Sequence, residues 1–355
     1  MNPWDRFPTH YRAAEREAIL NATRRGACVA LLGLSGSGKS NLLGFLAHRQ
    51  SSDDHPLLLV DCNRLLQHDA WALLNLINQA LGASHPLPEP ATPAFQAVNE
   101  ILAARLQGCE TLILLFDRFD IFAGVEHLRL HNVLRALRDG HKYRLSYVFA
   151  TRRPLPLESE LAELVQGHAL WLGPLSDDDA RWNVQRFARR HGENWNDDVA
   201  QALLDVSGGY PSLLKASCEA FAGGTPLDKI AQHPSVQARI EEFWRDEPPP
   251  EFVEASGLAE HPLLTRRRGP SVAEESLTAR ESLLYEYLQA HANEVCSKDD
   301  LIHAVWPEDV VYEEGVRDSS LAQLVRRLRL KVEQDASNPQ FIQTVPGRGY
   351  LFRVE

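Results

Sequence analysis

The chain has 355 residues, 44% of them hydrophobic, and a formal net charge of −11, a size and balance that suit two or three globular domains. It lacks the run of about 18 apolar residues that a membrane span requires, and its first residues, Met1-Asn2-Pro3-Trp4-Asp5-Arg6, lack a signal-peptide core, so a cytoplasmic protein without membrane partners is expected. Five scattered cysteines without C-x-x-C spacing argue against a disulfide framework or a zinc site, and the acidic total leaves any nucleic-acid binding to a local basic face.

In chain order, residues 11–23 read as an amphipathic helix and 28–32 as a short buried strand. A second helix covers 41–49. Residues 57–60 form an apolar strand ending at Asp61, and a helix follows at about 69–82. The proline-rich stretch 84–93 reads as loop, and 95–107 as another helix. Strand 112–116 ends at Asp117, helix 127–138 leads to strand 145–150, and 169–172 is a fifth strand. Buried strands alternating with helices predict a parallel sheet covered on both faces. From Ser176 the period is helical only, with segments at 177–190, 197–206, 212–221 and 234–245. Pro248-Pro249-Pro250 marks a break. The expected architecture is α/β: a core at 1–175, a helical lid at 176–245, a linker or reduced sheet at 246–274, and a second, α+β domain at 275–355.

Between the first strand and the second helix lies Gly33-Leu34-Ser35-Gly36-Ser37-Gly38-Lys39-Ser40, which matches the phosphate-binding pattern G-x-x-x-x-G-K-[ST]. The glycines let successive backbone N–H groups turn toward phosphate oxygens. Lys39 can reach the β- and γ-phosphates, Ser40 can ligate Mg²⁺, and the following helix N-terminus favours anions. Gly33, Ser35, Gly36, Ser37, Gly38, Lys39 and Ser40 are therefore the expected nucleotide site. Leu112-Ile113-Leu114-Leu115-Phe116-Asp117 supplies the strand-end carboxylate that holds Mg²⁺ beside Ser40.

Asp117 is followed by Arg118, and the nearest acid is Asp120. This hhhhD-x-x-D pattern, with the phosphate loop, resembles the signal-transducing ATPases with numerous domains (the STAND class) and related AAA+ proteins, over roughly residues 10–240. The resemblance implies a P-loop NTPase fold with bound ATP and Mg²⁺. Many AAA+ relatives place a Glu where Arg118 stands, as base for the attacking water, and a guanidinium cannot accept a proton. Asp120 is then either the base for the attacking water or a salt-bridge partner. Arg152, at the end of the fourth strand, is either the γ-phosphate sensor of the class or a solvated cation. Pro211, in Gly208-Gly209-Tyr210-Pro211, sits where the class carries a G-x-P turn near the adenine, and is equally an ordinary first residue of a helix. Tyr11 and Arg12 border the adenine in the same reading.

Residues 277–353 resemble the OmpR-type winged helix. Thr278 and Glu281 form a capping box before Leu283, Leu284 and Leu288. Lys298 to Trp306 is similar to the family's second helix, 316–333 to its recognition helix, and 341–352 to its wing. Leu321, Leu324, Val325 and Leu328 share one helical face. From 316 to 353 there are seven basic and three acidic residues. The resemblance implies double-stranded DNA as partner, contacted by Arg317, Gln323, Arg326, Arg327, Arg329 and Lys331 in the major groove and by Arg348 at the wing tip. The acidic loop with Glu308, Asp309, Glu313 and Glu314 departs from phosphate contact, and winged helices also bind proteins.

The expected function is an ATP-binding, slowly hydrolysing switch that controls a DNA-binding winged helix in a transcriptional regulator, with ATP-dependent self-association as part of the picture. The alternatives are a DNA-assembling loader ATPase of origin or transposition type, and a signalling or defence ATPase whose winged helix binds protein.

Overall fold

A computed structural model describes residues 2–245, 252–253, 261, 277–306, 314–333 and 339–353. The chain forms two compact units, Met1–Leu264 and Thr265–Glu355.

In the first unit, β1 (Val29–Leu32), β2 (Leu57–Asp61), β3 (Leu112–Asp117), β4 (Leu145–Thr151) and β5 (Ala169–Trp171) form one sheet in the order β2-β3-β4-β1-β5. All pairings are parallel. Because strand side chains alternate between faces, Leu112, Leu114 and Phe116 join Tyr147 and Phe149 in one core. Ile113 and Leu115 join Val148 and Ala150 in the core on the other face. β3 and β4 are buried along their whole length, which is why they read as unbroken apolar runs and not as alternating ones.

Helices α1 (Ala13–Thr23) and α2 (Lys39–Arg49) cover the second of these faces through Ile19, Leu42, Leu43 and Leu46. Helices α3 (Ala70–Ala80), α4 (Ala91–Leu106) and α5 (Leu128–Gly140) cover the first, and α6 (Glu160–Val165) adds Leu161 and Val165 to it. The loop expected up to residue 93 ends earlier, because α4 begins at Ala91 and contains Pro93. A first-turn proline costs little there, since the first backbone N–H groups of a helix have no intrahelical acceptor. The short helix α6 is too brief to show a period and was not legible.

The lid consists of α7 (Asp177–Arg190), α8 (Asp197–Ser207), α9 (Pro211–Ala222) and α10 (Pro234–Arg245). Its starts follow from local chemistry. Ser176 accepts a hydrogen bond from the Asp179 N–H, Asn196 accepts one from the Val199 N–H, and Pro211 stands at the first position of α9. The lid core is shared with the rest of the unit: Phe7, Tyr11, Leu34 and Phe45 pack in the same cluster as Leu203, Tyr210 and Leu213.

The second unit contains α11 (Ala279–Ala290), β6 (Val295–Ser297), α12 (Lys298–Val305), α13 (Glu314–Val332) and the hairpin β7 (Ile342–Val345) and β8 (Gly349–Phe352). The sheet order is β6-β8-β7, antiparallel, and the expected capping box at Thr278 and Glu281 is present. Leu284, Leu288, Leu301, Leu321, Leu324, Leu328 and Phe352 form its core. This is a winged helix-turn-helix. The reduced sheet considered for 246–274 lies outside the described residues except at 252–253 and 261, as does the acidic loop at 307–313.

Candidate functional site

The phosphate loop follows the carboxyl end of β1. Its turn depends on two glycines. Gly36 has φ 74°, and a Cβ there would lie 2.4 Å from Ser212 Cβ of α9. Gly38, at φ 96°, provides the left-handed residue that starts α2. Lys39 is the first residue of α2, and its Nζ donates to the carbonyl oxygens of Gly33 and Leu34. The ammonium is therefore held at the mouth of the loop. Ser35 turns its hydroxyl toward the lid and donates to Glu242 Oε1 of α10 at 2.7 Å. Ser37 is buried, and its hydroxyl has no hydrogen-bond partner among the described residues.

Ser40 Oγ donates to Asp117 Oδ1 at 3.0 Å. β4 lies between β1 and β3, so this bond spans the width of one strand and brings together the two residues expected to hold a metal. Asp117 is 7% exposed. Burial raises its pKa, the Ser40 hydrogen bond opposes that rise, and the neighbouring charge of Asp61 adds to it. A hydroxyl beside a carboxylate is a hard-oxygen pair that suits Mg²⁺, and a cation would offset the desolvated charge.

The same strand order places the end of β4 between the phosphate loop and Asp117. Arg152 follows directly, with an exposed side chain. Its backbone N–H donates to Asp120 Oδ1 at 2.6 Å, and its Nε lies 3.6 Å from the same oxygen. The structure thus brings Asp120 and Arg152 together as a pair. Arg118, at φ 54°, leaves the strand in a left-handed conformation and donates to Asn63 Oδ1 at 3.2 Å.

These groups line one cleft of about 590 Å³, from the loop through Asp117, Asp120 and Arg152 to Pro211, Ser212 and Lys215 of α9. A neighbouring cavity of about 420 Å³ shares Asn41, Pro211 and Lys215 with it and is walled by Trp4, Phe7, Phe187 and Leu214. Pro211 therefore stands at the junction of the two. Lys215 was missed in the sequence, although it lies one helical turn beyond Pro211 and so on the same face.

Tyr11 and Arg12 line neither the cleft nor the cavity. Tyr11 packs edge-on to Phe7. Arg12 is 2% exposed and joins three elements. It donates through Nη2 to Ser37 O in the loop (3.1 Å) and Gly173 O after β5 (2.8 Å), and through Nη1 to Pro174 O (2.9 Å) and Glu15 (2.7 Å). Its backbone N–H donates to Asp179 Oδ2 on α7 at 2.9 Å. A left-handed arginine (φ 49°) gives no sequence signal, so this junction between loop, sheet and lid was not legible.

In the winged helix, Gln323, Arg326 and Arg327 are exposed on α13, at i, i+3 and i+4 spacing, opposite the buried Leu321, Leu324, Val325 and Leu328. Arg348 is exposed at the hairpin tip beside Gly347 (φ 71°). Two other expected DNA contacts are engaged within the domain. Arg329 donates to Ile342 O and Thr344 Oγ1 of the wing, both at 2.9 Å, and lies over the Tyr350 ring. Lys331 Nζ donates to the buried Glu281 at 2.6 Å. Arg317 lies in α13, and its side chain is outside the described residues.

A phosphate loop on β1, a strand-end acid on β3 and an intervening β4 define a P-loop NTPase. Residues 9–222 match the family model described as Novel STAND NTPase 1, and the chain belongs to that family. Residues 273–352 match the model for the C-terminal domain of transcriptional regulatory proteins. The chain thus joins an NTPase to the DNA-binding domain type of transcription regulators. Among solved structures it is similar to the Walker-type ATPase PABY2304 of Pyrococcus abyssi, with 14% identity, 96% of this chain and 92% of that chain covered, and a TM-score of 0.48. It is also similar to the Aeropyrum pernix Orc1 protein, solved in complex with DNA, with 14% identity, coverage of 99% and 91%, and a TM-score of 0.45. No helix among the described residues is long and apolar enough to cross a membrane.

Proposed function

We propose that the protein is an ATP-binding, slowly hydrolysing switch whose nucleotide state sets the binding of DNA by its winged helix. The observation that carries this reading is the bond from Ser35 in the phosphate loop to Glu242 on α10. α10 is the last lid helix before the segment that leads to the winged helix, so a change at the loop acts on the element that precedes the output domain. Coupling then requires only that ATP bind one arrangement of the lid better than the other.

In this reading the loop N–H groups and Lys39 bind the phosphates, the base enters the cavity walled by Trp4, Phe7 and Leu214, and Lys215 closes on the phosphates from the lid. Ser40 and Asp117 would hold Mg²⁺, which neutralises charge on the β- and γ-phosphates when bound. Asp120 is the proposed base. Its Oδ1 is committed to Arg152, which leaves Oδ2 to take the proton of the attacking water. Arg152 is the proposed γ-phosphate sensor. A base that shares its carboxylate with a cation, next to an arginine where relatives carry a glutamate, suits slow turnover. Gln323, Arg326, Arg327 and Arg348 are the proposed DNA contacts. Leu330, 65% exposed on the same helix, favours a second reading in which the winged helix binds protein.

The Lys39→Ala protein tests the nucleotide site. Loss of charge-assisted hydrogen bonds to phosphate is expected to weaken ATP binding by about 100-fold, measured by calorimetry. Unchanged affinity would contradict the assignment.

A further inference from the structure

Beside the cavity assigned to the base lies a third pocket, of about 500 Å³, lined by Arg6, Trp182, Arg186, Arg189 and Arg190. It shares Arg186 and Arg190 with that cavity. Four arginines thus line one concavity, and among the described residues none of their side chains makes an ion pair or hydrogen bond. Helix-end electrostatics explains part of this. Arg189 and Arg190 stand in the last turn of α7, where the helix dipole favours cations. It does not explain Arg186, a turn earlier, or Arg6, which ends the separate 3-10 turn Pro3–Arg6.

Arg186 is held in place by aromatic rings. Its guanidinium lies 4.6 Å from the Phe7 ring centroid and 4.9 Å from that of Trp182, contacts that fix a planar cation without neutralising it. Its Nε is buried with no acceptor among the described residues. Burial lowers its pKa, and the charges of Arg190 and Arg6 lower it further, so the cluster is electrostatically costly as it stands. A phosphate group offers the acceptors and the charge that all four residues lack.

We infer that the pocket of Arg6, Trp182, Arg186, Arg189 and Arg190 is a second anion site that takes a small phosphorylated ligand. Its volume falls within the range of small-molecule pockets, and its four arginines line one concavity of that size, which favours a small polyanion over a nucleic-acid strand. The site also has leverage. Trp4, two residues from Arg6, packs so closely on α2 that a Cβ on Gly44 would lie 2.1 Å from its ring. Arg6 thus ends a turn that packs on α2 through Trp4 and on α7 through Phe7, while the other three arginines belong to the lid. A ligand that bridges them ties lid to core and adjusts the hinge at which nucleotide acts. The binding itself stands apart from the switch reading.

Calorimetric titration of the full chain with pyrophosphate tests it, in a Lys39→Ala background that weakens the phosphate loop. The expected result is binding that falls by about tenfold or more on adding Arg186→Ala. The same loss is expected for Arg189→Glu with Arg190→Glu, exposed changes whose unaltered circular dichroism and melting separate loss of the site from loss of the fold. Absent pyrophosphate binding in the Lys39→Ala chain, or binding indifferent to the arginine substitutions, would overturn the inference. Tighter binding of a single-stranded oligonucleotide through the same arginines would overturn it in favour of nucleic acid.

Discussion

Asp117 carries the most direct physical consequence at the level of single residues. Burial raises its pKa above the ordinary carboxylate value of 3.8, so the folded protein binds this proton more tightly than the unfolded chain does. The sign of the linkage follows: the group's favourable contribution is complete below pH 3.8 and is lost as pH rises through its folded pKa. At neutral pH the ionised carboxylate destabilises the fold. Asp117→Asn is expected to raise the melting temperature near pH 7 without Mg²⁺, by an increment that shrinks toward pH 4. Added Mg²⁺ should stabilise the wild type and leave the variant unmoved. A melting temperature lowered at all pH values would contradict this. Lys39, Ser40 and Asp117 were legible in the sequence because the loop has fixed spacing and its acid ends an apolar strand. Arg12 and Lys215 were not, because their roles arise from contacts between distant segments.

Among the elements, α13 divides its basic residues between two tasks. Arg326 and Arg327 point away from the core and are proposed to meet phosphate or bases. Arg329 fastens the helix to β7 by two hydrogen bonds. Arg326→Ala and Arg327→Ala are each expected to reduce the slope of log affinity against log salt by about 1, with unfolding unchanged. Arg329→Ala is expected to cost about 2 kcal/mol of stability through the unpaired wing acceptors, seen in denaturant unfolding. Equal behaviour of the three variants would contradict the division. A count of positive charge marked this helix in the sequence but could not separate the two kinds of arginine, since that depends on where the wing folds back. The strands were legible because buried parallel strands are continuous apolar runs, whereas the start of α4 was missed because its proline sits where a helix tolerates one.

The whole molecule joins an NTPase with a lid to a winged helix, and the proposed switch lets nucleotide govern the output. The lid is bound to the phosphate loop through Ser35–Glu242, through Arg12 and by the shared core of Leu34, Tyr210 and Leu213, so loop and lid respond together. Leu66 and Leu157, 99% and 95% exposed, lie in loops after β2 and β4, at the carboxyl edge of the sheet. Fluorescence anisotropy of labelled duplex DNA titrated with the full chain in saturating ATP, in ADP and without nucleotide tests the claim most directly. The DNA affinity is expected to differ between ATP and ADP by about fivefold or more, with the difference abolished in Lys39→Ala. Superimposable isotherms in all three conditions would contradict it.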